Sequence, residues 1–521
     1  MSTFTFKKIN ESLVSIQVNI PSELDIIRRL CRAEIPNASF IPAIKMGFKP
    51  PYKEFCKLNP RNENELFLMR GLAYNVIKHL KENNPEISID DAQLIEQDIK
   101  KQVSQEEVLE YIKNVLKTPF APHSFQLEAI TDAINNDMRI MVLATGSGKS
   151  FIIYSIIRYY IDNILEEDDK IVLIVPSIML LSQMYSDFES YGFKDIEKYV
   201  GRLGGDFKVK SFDKQITITT YQSLINNASL LEDVKMIIED EVHLAKSETH
   251  ETIIYPNAVN ARYRFGLTGS LPRDMCSKMS LTSIFGASKK YVSPRKLIDM
   301  GLATDLRVYS VFLKHPDTTS SILRNTKNYQ KEVATLLSLD YRTEAISKMV
   351  SKVSNNGNVI VLFNRVEFGE KLALSILKNK FNVELKDVSM LRKLNEYNIY
   401  YISGSSKSLD REMIRKVMED RDNAIIVGTT SLISTGINIP KLHSMVLASG
   451  TGKSDITLTQ SIGRLLRKHN SKNVVNLFDI IDLASPLNGR TYKTYSYKHF
   501  LERLEVYTEQ EYPVKEIEVK F

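Results

Sequence analysis

The sequence predicts an α/β protein in which a small N-terminal α/β domain (1–117) precedes two parallel-sheet domains, at 118–295 and 326–521, joined by a crossover at 296–325. Three observations lead there. Continuous apolar runs ending in small polar residues recur in both halves of the chain, as strands buried on both faces of a parallel sheet should. Between one such run and the apolar Phe151-Ile152-Ile153, the stretch Thr145-Gly146-Ser147-Gly148-Lys149-Ser150 bends on glycines, as a loop joining a strand to a helix does. Residues 4–117 carry no nucleotide motif and change texture several times, which marks them as a separate unit. A length of 521 residues agrees with three domains of about 150 residues each.

Composition narrows the class. A hydrophobic share of 43% is enough for real cores, and 69 basic against 63 acidic residues give a net charge of +6, which permits a polyanionic partner without demanding one. Cys31, Cys56 and Cys276 are too scattered for a zinc cluster or a disulfide framework, so no structural metal and a reducing cytoplasm are expected. The first twenty residues mix Lys7, Lys8, Asn10 and Glu11 among apolar ones, and no later apolar run approaches the ~20 residues needed to span a bilayer. Neither secretion nor a membrane is expected.

In the N-terminal part, the segment 40–57 interleaves Lys45, Lys49, Lys53 and Lys57 with four aromatics. Lysines contact phosphates and aromatics stack on bases, so this is a candidate nucleic-acid face. A solvated edge with its aromatics in the core is an equally good reading. Leu72, Val76 and Leu80 recur at four-residue steps, which predicts a core-facing helix with His79 in a structural role. Further on, Ser88-Ile89-Asp90-Asp91 reads as a helix start, a hydroxyl cap followed by carboxylates.

The phosphate loop needs backbone N–H groups turned inward, a lysine for the outer phosphates and a hydroxyl for Mg²⁺. Thr145, Gly146, Ser147, Gly148, Lys149 and Ser150 supply these parts for ATP, although Leu143 stands where the longer pattern has a glycine. Upstream, Gln126 at an expected helix start has an amide suited to the edge of adenine. Lys170 to Val175 is a buried-strand run, and Pro176-Ser177 fall on the strand-end rim where ligands bind in open α/β sheets. The run from Ile216 ends in hydroxyls, Thr220 among them, suited to phosphate contacts. Met236 to Glu241 is a strand ending in adjacent carboxylates: Asp240 can hold Mg²⁺ and Glu241 can polarise the attacking water. Phe265 to Ser270 gives one more strand with a small hydroxylic end.

In the last part, Val359 to Arg365, Ile399 to Gly404 and Ala424 to Thr430 repeat the buried-strand pattern, with Val308 to Phe312 as a strand inside the crossover. Gln460-Ser461-Ile462-Gly463-Arg464-Leu465-Leu466-Arg467 sets Arg464 and Arg467 three apart on one helical face, where they can serve a transferred phosphate. Ser449-Gly450-Thr451-Gly452-Lys453-Ser454 copies the phosphate loop. No second acidic pair follows it, so a glycine-rich loop is the simpler reading.

Gln126, Thr145 to Ser150, Pro176-Ser177, Asp240-Glu241-Val242-His243, Thr268-Gly269-Ser270, Ser434-Thr435-Gly436 and Gln460 to Arg467, in this order, resemble superfamily 2 helicases of the DExH kind over roughly 118–485. The segments 264–271, 297–304 and 463–469 are similar to the phage recombination helicases in particular. The resemblance implies two RecA-like domains, ATP and Mg²⁺ as cofactors, and DNA across the strand ends. It further implies Gly436 and Asn438 at the nucleotide, and Asn364, Arg365, Thr429 and Thr430 beside Pro176, Ser177 and Thr220 at nucleic acid. The expected activity is ATP-driven remodelling of branched DNA: junction migration, fork regression, R-loop dissociation and strand annealing. Expected partners are branched or duplex DNA, RNA–DNA hybrids, and single-strand-binding or recombination proteins, with the chain a monomer or weak oligomer in the cytoplasm of a host cell. An RNA helicase of the same fold, or the motor subunit of a restriction or nuclease assembly, are the alternatives.

Overall fold

The computed structural model describes residues 2–84, 86–95, 102–205, 207–208, 213–244, 249–385, 388–403, 416, 418–430, 441–449, 455–486 and 492–521. The chain forms two compact units, Met1–Val292 and Ser293–Phe521.

The first unit opens with a five-stranded sheet in the order Cys56–Asn59, Asn62–Met69, Leu13–Gln17, Thr3–Lys8, Ser88–Asp90. Alternation in Thr3–Lys8 turns Phe4 and Phe6 inward. The helix Arg70–Asn83 buries Leu72, Ala73, Val76, Ile77 and Leu80, the stripe its four-residue steps foretold. Ser88–Asp90 is not a helix start but a short strand, paired in parallel with Thr3 to Thr5. Edge pairing there overrides the capping signal, and the helix follows at Ala92–Ile95.

This small domain is built into the first motor domain. A Cβ at Gly71 would lie 2.1 Å from the Thr282 carbonyl oxygen, so the helix Arg70–Asn83 approaches the helix Met275–Phe285 at a point only glycine allows. Arg70, 1% exposed, reaches Asp137 at 3.1 Å and Glu11 at 2.7 Å. Arg264 donates to Ser12 Oγ at 2.6 Å and to the Ala258 carbonyl at 2.7 Å. Burial, with Arg70 nearby, pulls its pKa down to about 9.

The motor domain of this unit is an eight-stranded sheet in the order Phe207–Lys208, Val200–Gly204, Ile216–Thr219, Lys170–Ile174, Val234–Asp240, Tyr263–Thr268, Met138–Leu143, Ser288–Val292. Every pairing is parallel except that of the two-residue edge strand. The apolar runs picked out in the sequence are its central strands, buried on both faces.

The second unit is a seven-stranded, wholly parallel sheet in the order Ile399–Ile402, Ile425–Thr429, Val359–Phe363, Ser444–Leu447, Val474–Leu483, Asp305–Lys314, Val514–Lys520. The segment 296–325, expected as a crossover, belongs to this unit instead. Its strand Asp305–Lys314 is hydrogen-bonded on both sides, to Val474–Leu483 and to Val514–Lys520. A ten-residue strand with both edges paired is sheet interior, not a connection. Two buried ion-paired clusters brace the sheet. Arg342 holds Asp482 at 2.8 and 3.0 Å, and Arg503 holds Asp479 at 2.8 Å through two nitrogens.

Candidate functional site

The strand Met138–Leu143 delivers the chain to the phosphate loop, and the helix Lys149–Asn163 leaves it. Gly146 and Gly148 have φ of +86° and +78°, in the left-handed region that only glycine enters cheaply. Gly148 caps the 15-residue helix, so the loop's amides and the positive end of the helix dipole face one place. The Ser147 hydroxyl is buried in this loop without a hydrogen-bond partner among the described residues. A positive-φ loop at a long helix N-terminus with an unsatisfied hydroxyl fits a phosphate group.

Gln126 lies against the loop. Its Nε2 donates to the Ser147 carbonyl at 2.8 Å, and its Oε1 accepts from the His123 amide at 2.8 Å. A Cβ on Gly148 would come within 2.5 Å of that nitrogen, so glutamine and glycine fit as a pair. The amide proposed for adenine thus also braces the phosphate loop.

The acidic pair stands at the end of Val234–Asp240, two strands from the loop strand, with Tyr263–Thr268 between. Lys149 Nζ is ion-paired and hydrogen-bonded to Glu241 Oε1. Glu241 has φ of +52°, a conformation a non-glycine residue adopts at a cost of order 1–3 kcal/mol. Burial disfavours its charge, but Lys149 and then His243 outweigh that and hold its pKa below the usual value. Asp240 goes the other way. Burial pushes it up to about 6, against the pull of Lys149 and with the neighbouring Glu241 adding to the rise. A divalent cation at Asp240 would favour its ionised form, so the donor set fits Mg²⁺ together with a nucleotide phosphate that draws Lys149 away. Ser150, the other candidate Mg²⁺ ligand, shares a hydrogen bond of 2.8 Å with the Tyr191 hydroxyl.

The strand end Thr268-Gly269-Ser270 passes close to the loop: a Cβ on Gly269 would meet Thr145 Oγ1 at 3.4 Å. His243 Nδ1 is hydrogen-bonded to Thr268 Oγ1. Burial lowers the His243 pKa to about 4, with Glu241 opposing and Lys149 assisting, so the ring is neutral at pH 7.

On the neighbouring rim, Ser177 caps the helix Ile178–Ser190 by accepting from the Leu180 amide at 3.3 Å, and Pro176 precedes it. Thr220 is 2% exposed, with its hydroxyl 3.1 Å from Ser223 Oγ. Its side chain is therefore spent inside the fold, a site expectation the geometry corrects; what the rim can offer here is backbone.

In the second unit, Thr430 Oγ1 donates to Asn364 Oδ1 at 2.7 Å, which brings the ends of Val359–Phe363 and Ile425–Thr429 to one edge. Arg365 stands just before the helix Val366–Phe381, and its guanidinium donates to Gln330 Oε1. Asn364, Arg365, Thr429 and Thr430 thus lie at the ends of two adjacent strands. Gln460 and Arg464 lie on the helix Asp455–Leu465, whereas Arg467 falls two residues past its end, so the helical face expected to carry both arginines carries Arg464 alone. The helix exit is pinned by Thr304, whose amide donates to the Leu466 carbonyl at 2.8 Å and whose hydroxyl donates to the Arg467 carbonyl at 3.3 Å. Burial lowers the Arg467 pKa. Gly436, Asn438 and the look-alike loop around Lys453 lie outside the described residues.

The lysine segment is divided by the fold. Phe40 and Phe48 are 83% and 79% exposed and stand with Lys45 and Lys49 on the surface. Phe55 is buried with Lys53 Nζ 5.1 Å from its ring centre. Lys57 is exposed on Cys56–Asn59. Sequence reasoning did not single out Tyr191, Tyr221, Glu239 or His250 as site residues. A lone tyrosine or histidine outside any motif gives no signal of its own, and Glu239 is hidden by the carboxylates that follow it.

Among the described residues, no helix is long and apolar enough to cross a membrane. A family model described as the res subunit of type III restriction enzymes matches residues 98–273, and one described as the helicase conserved C-terminal domain matches 341–469. A putative HsdR subunit of a type I restriction enzyme from Vibrio vulnificus shares the fold, with TM-score 0.56 and 18% identity over 82% of this chain and 73% of that one. The crystal structure of T4 UvsW aligns over 99% of both chains, with 26% identity and TM-score 0.49. In sequence, the chain is 32% identical over 403 residues to the ATP-dependent DNA helicase uvsW of Enterobacteria phage T4, covering 75% of this chain and 76% of that one. Likeness of that extent reaches past the motifs into the cores that hold them, and the chain belongs to the superfamily 2 DNA helicases of the UvsW family.

Proposed function

We propose that this ATP-dependent DNA helicase works on branched DNA, migrating junctions, regressing forks, dissociating R-loops and annealing strands, and that its chemistry is carried by residues named above. The observation that supports this best is the meeting of Lys149 with Glu241 beside Asp240, in a chain whose relative at 32% identity is a phage DNA helicase. Lys149 and the loop amides bind the ATP phosphates, Ser150 and Asp240 hold Mg²⁺, and Glu241 accepts a proton from the attacking water once a phosphate has taken Lys149 from it. Gln126 reads adenine, with Gly436 and Asn438 also at the nucleotide. Gln460, Arg464 and Arg467 serve the transferred phosphate. When bound, Mg²⁺ neutralises phosphate charge that would otherwise repel the nucleophile.

Nucleic acid is proposed to run along the strand ends, over the backbone at Pro176, Ser177 and Thr220 and along Asn364, Arg365, Thr429 and Thr430. Lys45, Lys49, Lys53 and Lys57 are proposed to hold duplex arms. Phe40 and Phe48, exposed beside Lys45 and Lys49, support that reading over a solvated edge with its aromatics inside. The test is a panel of forks, four-way junctions, R-loops, plain duplexes and RNA, assayed for ATPase stimulation and strand exchange. Branched DNA should stimulate most; equal or greater stimulation by RNA would reject the reading.

A further inference from the structure

Asp240 and the strained Glu241 directly follow Glu239, a strand residue held in a buried polar cluster. Glu239, one residue before Asp240, is 1% exposed and projects from the opposite face of the strand. His250 is fully buried, and its Nε2 lies 3.0 and 3.3 Å from the two Glu239 carboxylate oxygens. The pair therefore ties the strand residue beside Asp240 to the helix His250–Ile254. Tyr221 is the third corner: its hydroxyl donates to Glu239 Oε2 at 2.5 Å, and its ring stands edge-on to His250 at 5.5 Å. Burial, then the Glu239 charge, push the Tyr221 hydroxyl's pKa well above its ordinary value, so it stays a donor. Tyr221 directly follows Thr220, at the end of the strand Ile216–Thr219 on the proposed nucleic-acid rim.

We propose that Tyr221, Glu239 and His250 are positioning residues that carry nucleic-acid engagement at the Thr220 rim to the hydrolytic carboxylates Asp240 and Glu241. The proposal rests on the reading of those two sites given above. A buried carboxylate gives up a hydrogen-bond donor only at a cost in free energy, so Glu239 follows Tyr221 when the rim moves instead of releasing it. One peptide unit then passes the shift to Asp240, while His250 holds the other side of the Glu239 carboxylate.

The test is Tyr221→Phe in the full chain, which removes one oxygen and keeps the ring. Its kcat and KM for ATP are measured without DNA and with saturating fork, together with fork affinity and melting temperature. Basal kcat, KM, fork affinity and melting temperature should stay near wild type, while the stimulation factor falls by about tenfold, within the ordinary span of coupling between sites. Glu239→Gln keeps an oxygen that accepts from Tyr221 and should retain most of the stimulation. Wild-type stimulation in Tyr221→Phe, or an equal fall in basal and stimulated kcat, would overturn the proposal and leave a cluster that only holds the fold. A wild-type enzyme that no nucleic acid stimulates would overturn the underlying reading as well, so the control tells the two failures apart.

Discussion

Lys149 and Glu241 neutralise each other without nucleotide, so each replacement unbalances the other. Lys149→Ala should cut hydrolysis by at least ~10²-fold, since it removes a positive charge placed for the transition state. DNA binding without ATP should survive, and wild-type turnover in a steady-state assay would reject the assignment. Glu241→Gln keeps the shape and loses the base, so it should still bind Mg²⁺ and ATP while turnover collapses. Fluorescent-nucleotide binding measured beside phosphate release separates the two steps. Arg467→Ala should lower kcat by up to ~10³-fold if the guanidinium meets developing charge. A variant that lost ATP affinity but kept kcat would contradict that role.

At the scale of elements, the strand Val474–Leu483 and the helix Asp340–Val353 are locked by Asp482 and Arg342, both essentially inaccessible to water. Burial opposes the Asp482 charge, but Arg342 and His315 hold its pKa well below the usual carboxylate range. A carboxylate depressed in this way contributes stability that is present above its unfolded pKa and lost as pH falls below about 3.8. Arg342→Leu leaves the carboxylate buried without its main partner, and should destabilise the second unit by ~3–5 kcal/mol. Circular dichroism during urea unfolding should record it. The deficit should shrink as pH falls, because protonation relieves the unpaired buried carboxylate in the variant while the wild type loses its ion pair; a deficit of the same size in acid would contradict this account.

For the whole molecule, the small N-terminal domain is not a detachable module. A chain beginning at residue 118 would lose Arg70 from beside Asp137 and Ser12 from beside Arg264, and would bare the carbonyls that Gly71 covers. It should melt earlier than the full chain, so weakened DNA binding in it would not isolate the lysines. Replacing Lys45, Lys49, Lys53 and Lys57 together by glutamine is the cleaner test. Each phosphate that the protein no longer neutralises should flatten the slope of log K against log salt by ~0.9 for duplex DNA. Lys45, Lys49 and Lys57 should account for most of the change, because Lys53 is partly spent on the Phe55 ring. An unchanged salt slope would move the duplex-binding face elsewhere.

What the sequence determined by itself was whatever depends on neighbours along the chain: the strand, loop and helix around Lys149, the acidic strand end at Asp240 and Glu241, and the buried runs of both sheets. These are local because a phosphate loop is one turn and a parallel strand is one apolar run. Helix periodicity likewise disclosed the stripe Leu72, Val76 and Leu80. Only the tertiary structure decided that Ser88–Asp90 completes a sheet, that Asp305–Lys314 is sheet interior, and that Thr220 spends its hydroxyl on Ser223. It alone joined Tyr221 to Glu239 and His250, and Arg70 to Asp137. Those pairs bring together residues far apart in sequence, and which distant polar group a buried side chain will find is set by how the sheets and helices pack, which no local pattern records.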